Sequence, residues 1–285
     1  MAETWTVRSL LQWAREWLGK KGVENPRLDA ELLLARALHC DRIRLYIDAD
    51  KPLAAPELAI FKELIKRRGA REPVAYILGT KEFHGRAFEV AAGVFIPRPE
   101  TELLVRIVTE HLAPEENVRI LDLCAGSGAV GITIVAERPK ANVDLVEISE
   151  DAAAVARRNA ERIAPGRVRV ITGDLYAALP GKVRYDAIAA NPPYVATADT
   201  ERLAPDVVRH EPPLALFGGE DGLAVIRRIA AGVRDWLAPG GLFVTEIDPA
   251  QGQKVVALLR EAGLAQLRIE RDLAGLDRHV VGKGV

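Results

Sequence analysis

Residues Val118-Arg119-Ile120-Leu121-Asp122-Leu123-Cys124-Ala125-Gly126-Ser127-Gly128 run straight into the apolar stretch Ala129–Ala136. An apolar segment that meets a loop of small residues and then an apolar run of helical length reads as strand, tight turn and helix. Gly126 and Gly128 let the backbone turn sharply and approach a ligand, and the start of the following helix favours negative charge. Gly131 is read as displaced from the third position of the dinucleotide fingerprint. Asp122, directly before the loop, suits a cationic amino-acid ligand better than a pyrophosphate.

The same pattern repeats downstream. Asn142–Glu147 reads as the next strand, ending in an acid about twenty residues past the glycine loop, the spacing at which an acid binds ribose hydroxyls. Val168–Thr172 ends before Gly173, Asp174 and Leu175, and Tyr185–Ala190 ends at Asn191-Pro192-Pro193-Tyr194. Each proline lacks an N–H and restricts its neighbour, so the last turn is stiff and rich in acceptors. The Asn191 side-chain oxygen and nearby carbonyls form a cradle for a planar NH2 group, with an aromatic ring alongside. All these groups fall at C-terminal strand ends, where open α/β sheets bind ligands.

The predicted fold is α/β: a doubly wound, mostly parallel seven-stranded sheet, preceded by a small all-helical domain over residues 1–80 and a β-hairpin linker over 81–97. In the first domain, Val7, Leu10, Leu11, Ala14, Trp17 and Leu18 repeat at helical spacing; Pro26 and Pro56 open further helices. Lys62, Lys66, Arg67, Arg68 and Arg71 form a basic cluster, read as a solvated helix end with a ribonucleoprotein patch as the lesser alternative. Residues 98–285 alternate strand and helix, with late strands at Leu242–Ile247, Leu264–Glu270 and His279–Gly282.

Composition narrows the function. A net charge of -1 gives no electrostatic footprint for nucleic acid. Cys40 and Cys124 are too few for a disulfide framework, and no run approaches membrane-spanning length. Trp5 to Leu18 carries Arg8, Arg15 and Glu16, so it is not read as a signal peptide. The expectation is a cytoplasmic protein without membrane, metal or direct nucleic-acid partner.

Asp122–Gly128, Glu147, Asp174 and Asn191–Tyr194 together resemble the class I methyltransferases that act on planar amide or exocyclic amino nitrogens. A narrower resemblance covers nearly the whole chain. Pro73–Gly79, Glu82-Phe83, Phe95–Glu102, Glu211–Leu216, Gly218–Leu223 and Asp272–Arg278 are similar to the bacterial N5-glutamine methyltransferases of peptide chain release factors. The resemblance implies S-adenosyl-L-methionine as cofactor and class 1 release factors as protein substrate, modified on the glutamine of a Gly-Gly-Gln loop. It also implies the residue roles. Asp122 with Cys124, Ala125, Gly126, Ser127 and Gly128 holds the methionine portion; Glu147 binds the ribose, Asp174 the adenine amino group and Leu175 the ring. Asn191, also placed among the cofactor-binding residues, and the Pro192 carbonyl accept from the substrate amide, with Pro193 and Tyr194 shaping its pocket. An antiparallel edge strand is placed at His279–Gly282. The chain departs from the pattern at Glu147 (usually Asp), Cys124 (usually Gly) and Pro213 (usually Arg).

Glu211 reads equally as a substrate contact or as the partner of a nearby arginine. Glu246 reads as a local structural acid. Two competing functions share the pocket chemistry: glutamine methylation of a large-subunit ribosomal protein, and adenine-N6 methylation of nucleic acid. The helical N-terminal segment favours the release-factor reading, and the near-neutral charge weighs against nucleic acid.

Overall fold

The computed structural model describes residues 5–181 and 183–285, which divide into two compact units. The first comprises the residues up to Gly79 together with Pro205–His210; the second comprises Thr80–Ala204 and Glu211–Val285.

The first unit is helical: α1 (Val7–Lys20), α2 (Pro26–Ala37), α3 (Arg42–Ile47), α4 (Ala55–Gly69) and α5 (Val74–Leu78). Thr6 caps α1 by accepting from the Ser9 N–H, and Ser9 returns a bond to the Thr6 N–H. Val7, Leu10, Ala14, Leu18, Leu33, Leu34, Phe61 and Ile65 bury the apolar faces of α1, α2 and α4 against each other. The basic cluster at the end of α4 is mostly consumed inside this unit. Arg68 is buried, with Nε donating to Asp29 at 2.6 Å and Nη2 2.8 Å from Asp206. Arg71 also pairs with Asp206, and Arg67 with Glu72. Asp206 lies on α9 (Pro205–His210), a segment that the sequence alone places in the methyltransferase domain.

The second unit begins with the hairpin β1 (Thr80–Phe83) and β2 (Arg86–Glu89). The hairpin is not a free linker. Phe83 and Phe88 are buried in the core with Leu104, Val105 and Val108 of α6 (Glu102–His111). The large sheet comprises β3 (Arg119–Leu123), β4 (Asn142–Glu147), β5 (Val168–Thr172), β6 (Tyr185–Ala190), β7 (Leu237–Glu246), β8 (Ala265–Arg271) and β9 (Asp277–Lys283), in the order β5-β4-β3-β6-β7-β9-β8. The first five pair in parallel; β9 is antiparallel to both neighbours.

Successive residues of β3 point to opposite faces. Ile120 packs with α6, α7 (Ala129–Glu137) and α8 (Glu150–Ile163), while Leu121 and Leu123 pack with α11 (Ala224–Trp236) and α12 (Gly252–Glu261). The short helix α10 (Pro213–Leu216) opens at Pro213, a residue whose fixed φ suits a helix start.

The expected edge strand requires correction. The segment His279–Gly282 is antiparallel but interior, and β8 forms the edge. The short β8–β9 connection makes the two strands a hairpin, and it is β9 that pairs with β7, which leaves β8 outermost. Asp272 ties that turn by accepting from the Ala274 and Leu276 N–H groups and pairing with Arg278.

Candidate active site at the carboxyl ends of five parallel strands

Five adjacent strands deliver polar groups to one end of the sheet. Across it stand Asp174 after β5, Glu147 closing β4, the glycine loop after β3, Asn191 after β6 and Glu246 closing β7.

The loop after β3 is held in an unusual conformation. Cys124 and Gly126 have φ of 59° and 56°, and Gly128 has φ of 80°. A left-handed non-glycine residue costs about 1–3 kcal/mol, and such residues concentrate at functional sites. Leu175, beyond β5, repeats the feature with φ of 47°. Space beside Gly126 is open for 4 Å around a notional Cβ. Gly131 corrects the sequence reading, since Gly126, Gly128 and Gly131 do carry the complete G-x-G-x-x-G spacing. Its role is packing: a Cβ there would lie 2.4 Å from the Leu145 side chain, so only glycine lets α7 approach β4 so closely. Glycine spacing therefore does not by itself separate this loop from a dinucleotide site.

Two carboxylates brace the loop from beneath. Glu147 Oε2 accepts from the Gly126 N–H at 2.7 Å and Oε1 from the Ser149 N–H at 2.9 Å. Burial raises its pKa against those backbone bonds. Asp122, 1% exposed, accepts from the Gly131 N–H at 2.9 Å and so steadies the first turn of α7. Ser127 is buried, its carbonyl accepting from Asn159 Nδ2 at 3.0 Å, and Ala125 lies half-buried against the core. The Cys124 thiol is pushed up by burial and by the charges of Glu147, Asp122 and Asp174, which removes it as a nucleophile. Asp174 remains half-exposed and pairs with Arg228 at 2.6 Å.

Burial lifts the Asp122 carboxyl from 3.8 to about 7, with the Glu147 charge adding to the effect. The folded chain holds this proton up to about pH 7, whereas the unfolded chain releases it near its ordinary value of 3.8. Its contribution to stability is complete below the unfolded value and is lost as pH rises through the folded one. Asp122→Asn, which keeps an acceptor for Gly131, is expected to flatten the decline in urea midpoint between pH 4 and 7. Some slope of the same sign persists from Glu147. A decline as steep in the variant as in the wild type counts against this assignment.

The Asn191–Tyr194 turn is fixed from several sides. Pro192 and Pro193 are buried. Val195 N–H donates to the Leu216 carbonyl, Gly218 N–H to the Val195 carbonyl, and Gln251 Nε2 to the Tyr194 carbonyl at 2.9 Å. Gly222, with φ of 73°, touches the turn so closely that a Cβ would sit 2.2 Å from the Tyr194 carbonyl oxygen. Gly222→Ala is expected to cost about 1–3 kcal/mol by overpacking and to lower kcat by displacing Tyr194. Differential scanning calorimetry with steady-state kinetics checks both; an unchanged melting temperature contradicts the contact.

Beneath the turn lies a buried hydrogen-bonded group that sequence reasoning missed. Asn191 Nδ2 donates to Thr101 Oγ1 at 3.2 Å, and Thr101 Oγ1 donates to Glu246 Oε2 at 2.6 Å. Tyr194 Oη donates to Glu246 Oε1 at 3.1 Å, and burial raises the Tyr194 pKa, keeping the phenol neutral. Glu246 is 1% exposed, and its two oxygens hold Thr101 and Tyr194. The rule that located the other groups, a polar residue closing a parallel strand, applies to it equally. Among the described residues, neither Asn191 Oδ1 nor the Pro192 carbonyl accepts a hydrogen bond.

Glu211 is corrected as a substrate contact. Its side chain is 1% exposed; Oε1 pairs with Arg98, whose guanidinium also lies over the Phe95 ring, and Oε2 accepts from the Ile96 N–H. A buried carboxylate with both oxygens engaged holds Arg98 in place and is not available to a substrate.

Comparison with known proteins agrees with this geometry. A family model for the PrmC N-terminal domain matches residues 9–79, and one for the methyltransferase small domain matches residues 88–220. The release factor glutamine methyltransferase of Geobacter sulfurreducens is 43% identical over 281 residues, covering 99% of this chain and 98% of that one. That of Moorella thermoacetica is 41% identical over 275 residues, covering 96% of each. A methyltransferase from Pyrococcus furiosus, at 18% identity and a TM-score of 0.54 over 77% of this chain and all of that one, shares the fold. With more than two fifths of its residues shared across almost its entire length, the chain belongs to the release factor glutamine methyltransferase family.

Proposed function

We infer that this protein transfers a methyl group from S-adenosyl-L-methionine to the side-chain amide nitrogen, N5, of the glutamine in the Gly-Gly-Gln motif of class 1 release factors. The observation that carries the reading is the Asn191–Tyr194 turn. It offers two unengaged acceptors, Asn191 Oδ1 and the Pro192 carbonyl, at the end of the strand next to the glycine loop. Two acceptors on a rigid turn match the two hydrogens of a primary amide.

The residues present fit the cofactor. The space beside Gly126 admits close approach to the backbone. Each Glu147 oxygen accepts one backbone N–H and keeps a lone pair for a ribose hydroxyl. Asp174 and Leu175 stand at the next strand end, for the adenine amino group and ring. When bound, the cofactor supplies an electrophilic methyl group on a sulfonium.

An amide nitrogen is a weak nucleophile because its lone pair is delocalised into the carbonyl. The protein's part is therefore orientation. Accepting both N–H bonds aims the lone pair along the transfer line and stabilises positive charge as the N–C bond forms and the methyl–sulfur bond would break. One N–H proton then passes to solvent, leaving a neutral secondary amide. Holding reactants in such geometry supplies roughly 7–11 kcal/mol in favourable cases, which makes positioning the main effect. Tyr194, neutral and anchored through Glu246, walls the pocket. No helix among the described residues is long and apolar enough to cross a membrane, and a cytoplasmic protein acting on release factors accords with that.

Peptide mass mapping after incubation with S-adenosyl-L-methionine tests the substrate. One added methyl on the Gly-Gly-Gln glutamine of a release factor is expected. Transfer only to a ribosomal protein, or only to duplex DNA, overturns this reading in favour of one of the competitors.

A further inference from the structure

We propose that Thr101 and Glu246 are positioning residues that fix which end of the Asn191 amide faces the substrate. The proposal rests on the glutamine-methylation reading and deepens it.

A side-chain amide is nearly symmetric in shape, yet only its oxygen accepts a substrate N–H. Rotated by half a turn, Asn191 would present an NH2 to the substrate NH2, and the cradle would repel what it must hold. Proline stiffness does not decide this, because it constrains the backbone and leaves the terminal torsion free. The polarity of the group beneath decides it.

Glu246 is acceptor-only as a carboxylate. At 2.6 Å it takes the single proton of the Thr101 hydroxyl. Thr101 Oγ1 then has only lone pairs left, so it accepts from Asn191 and must meet Nδ2, at 3.2 Å. Oδ1 is thereby turned away from Thr101. The other Glu246 oxygen accepts from Tyr194 Oη at 3.1 Å, so one carboxylate sets both polar side chains of the turn.

The arrangement is built from three separate parts of the second unit. Thr101 closes the 3₁₀ turn Pro99–Thr101, Glu246 ends β7, and Asn191 follows β6. Thr101 and Glu246 are 3% and 1% exposed, so water does not compete for these bonds. His279, directly opposite Glu246 in the β7–β9 register, has Nε2 3.7 Å from Oε2, beyond hydrogen-bond reach. It leaves the two acceptor positions to Thr101 and Tyr194.

The test uses isosteres of Thr101 in the full-length enzyme. Thr101→Val keeps the volume and removes the hydroxyl; Thr101→Ser keeps the hydroxyl. Transfer to a release factor is followed together with cofactor affinity by calorimetry. Thr101→Val is expected to lower kcat roughly 100-fold, the scale of a small misplacement of a reacting group, with cofactor affinity within a factor of two or so. Thr101→Ser is expected to restore kcat to within a few-fold of wild type. Glu246→Gln, which can accept from only one of its two partners, is expected to lower kcat as well. The double variant Thr101→Val/Glu246→Gln is expected to be no worse than the poorer single, because both changes break one chain of bonds. Equal kcat in Thr101→Val and wild type overturns the proposal. So does an equal loss in the Ser and Val variants, or multiplicative losses in the double. Failure of the wild type itself to methylate a release factor overturns the substrate reading, and this inference with it.

Discussion

Asn191→Ala is expected to reduce kcat for release-factor methylation on the order of a thousandfold, about 4 kcal/mol in the barrier. Cofactor affinity should be largely retained. On the proposed mechanism the substitution removes Oδ1, one of two acceptors for the substrate amide, and with it the direction of the nitrogen lone pair. It leaves the cofactor side of the site nearly intact, since Gly126, Glu147 and Ser149 are bonded to one another and not to Asn191. Binding calorimetry with S-adenosyl-L-methionine and single-turnover transfer, measured on the same preparation, separate the two effects. Transfer at the wild-type rate removes Asn191 from the reaction. Loss of cofactor binding along with transfer would instead assign it to the cofactor site. Asn191→Gln is a sharper probe, because it keeps the amide but moves the oxygen about one bond length further out.

The largest effect on stability is expected at Arg68, on α4 of the helical unit. Arg68→Ala should destabilise that unit by about 3–5 kcal/mol, the cost of breaking a buried ion pair by removing one partner. Its guanidinium faces two carboxylates, Asp29 and Asp206, and also donates to the Glu72 carbonyl at 3.0 Å. Removing the cation leaves negative charge in a place where water reaches poorly. Because the chain has two compact units, one melting temperature is a blunt measure. Hydrogen exchange resolved by peptide is better. Protection should fall across α1, α2, α4 and Pro205–His210 while β3 to β7 keep theirs. A uniform loss through both units, or none, contradicts this account. A charge-free replacement of all three partners by apolar residues should cost far less than Arg68→Ala alone.

What the sequence disclosed and what it withheld follow a physical line. The glycine loop, Glu147, Asp174 and Asn191–Tyr194 were legible because their chemistry is local. A turn with positive φ, a strand-end acid and a double proline each announce themselves within a few residues. Thr101 and Glu246 were not, since their pairing depends on β7 lying beside β6 and on a 3₁₀ turn 145 positions away in the chain. The interior place of β9 rests on its pairing with β7, a contact between segments far apart in the chain. Helices α3 and α5, of 6 and 5 residues, are too short for a periodic pattern to stand out. Gly131 was misjudged for another reason: its part is to let a helix pack close to a strand, which spacing alone does not reveal.

The path of the chain has a consequence for how this protein is inherited and handled. It passes between the two units at Gly79, again at Ala204 and once more at His210. A module joined by one tether can be cut off, traded or duplicated as a cassette. One stitched three times cannot. A gene fragment starting at Thr80 would still encode Asp206, now stripped of Arg68 and Arg71. A break at the hairpin would thus leave Asp206 without its cations in one piece, and Arg68 and Arg71 without Asp206 in the other. The helical unit therefore cannot be cut away at Gly79 without breaking its own ion pairs.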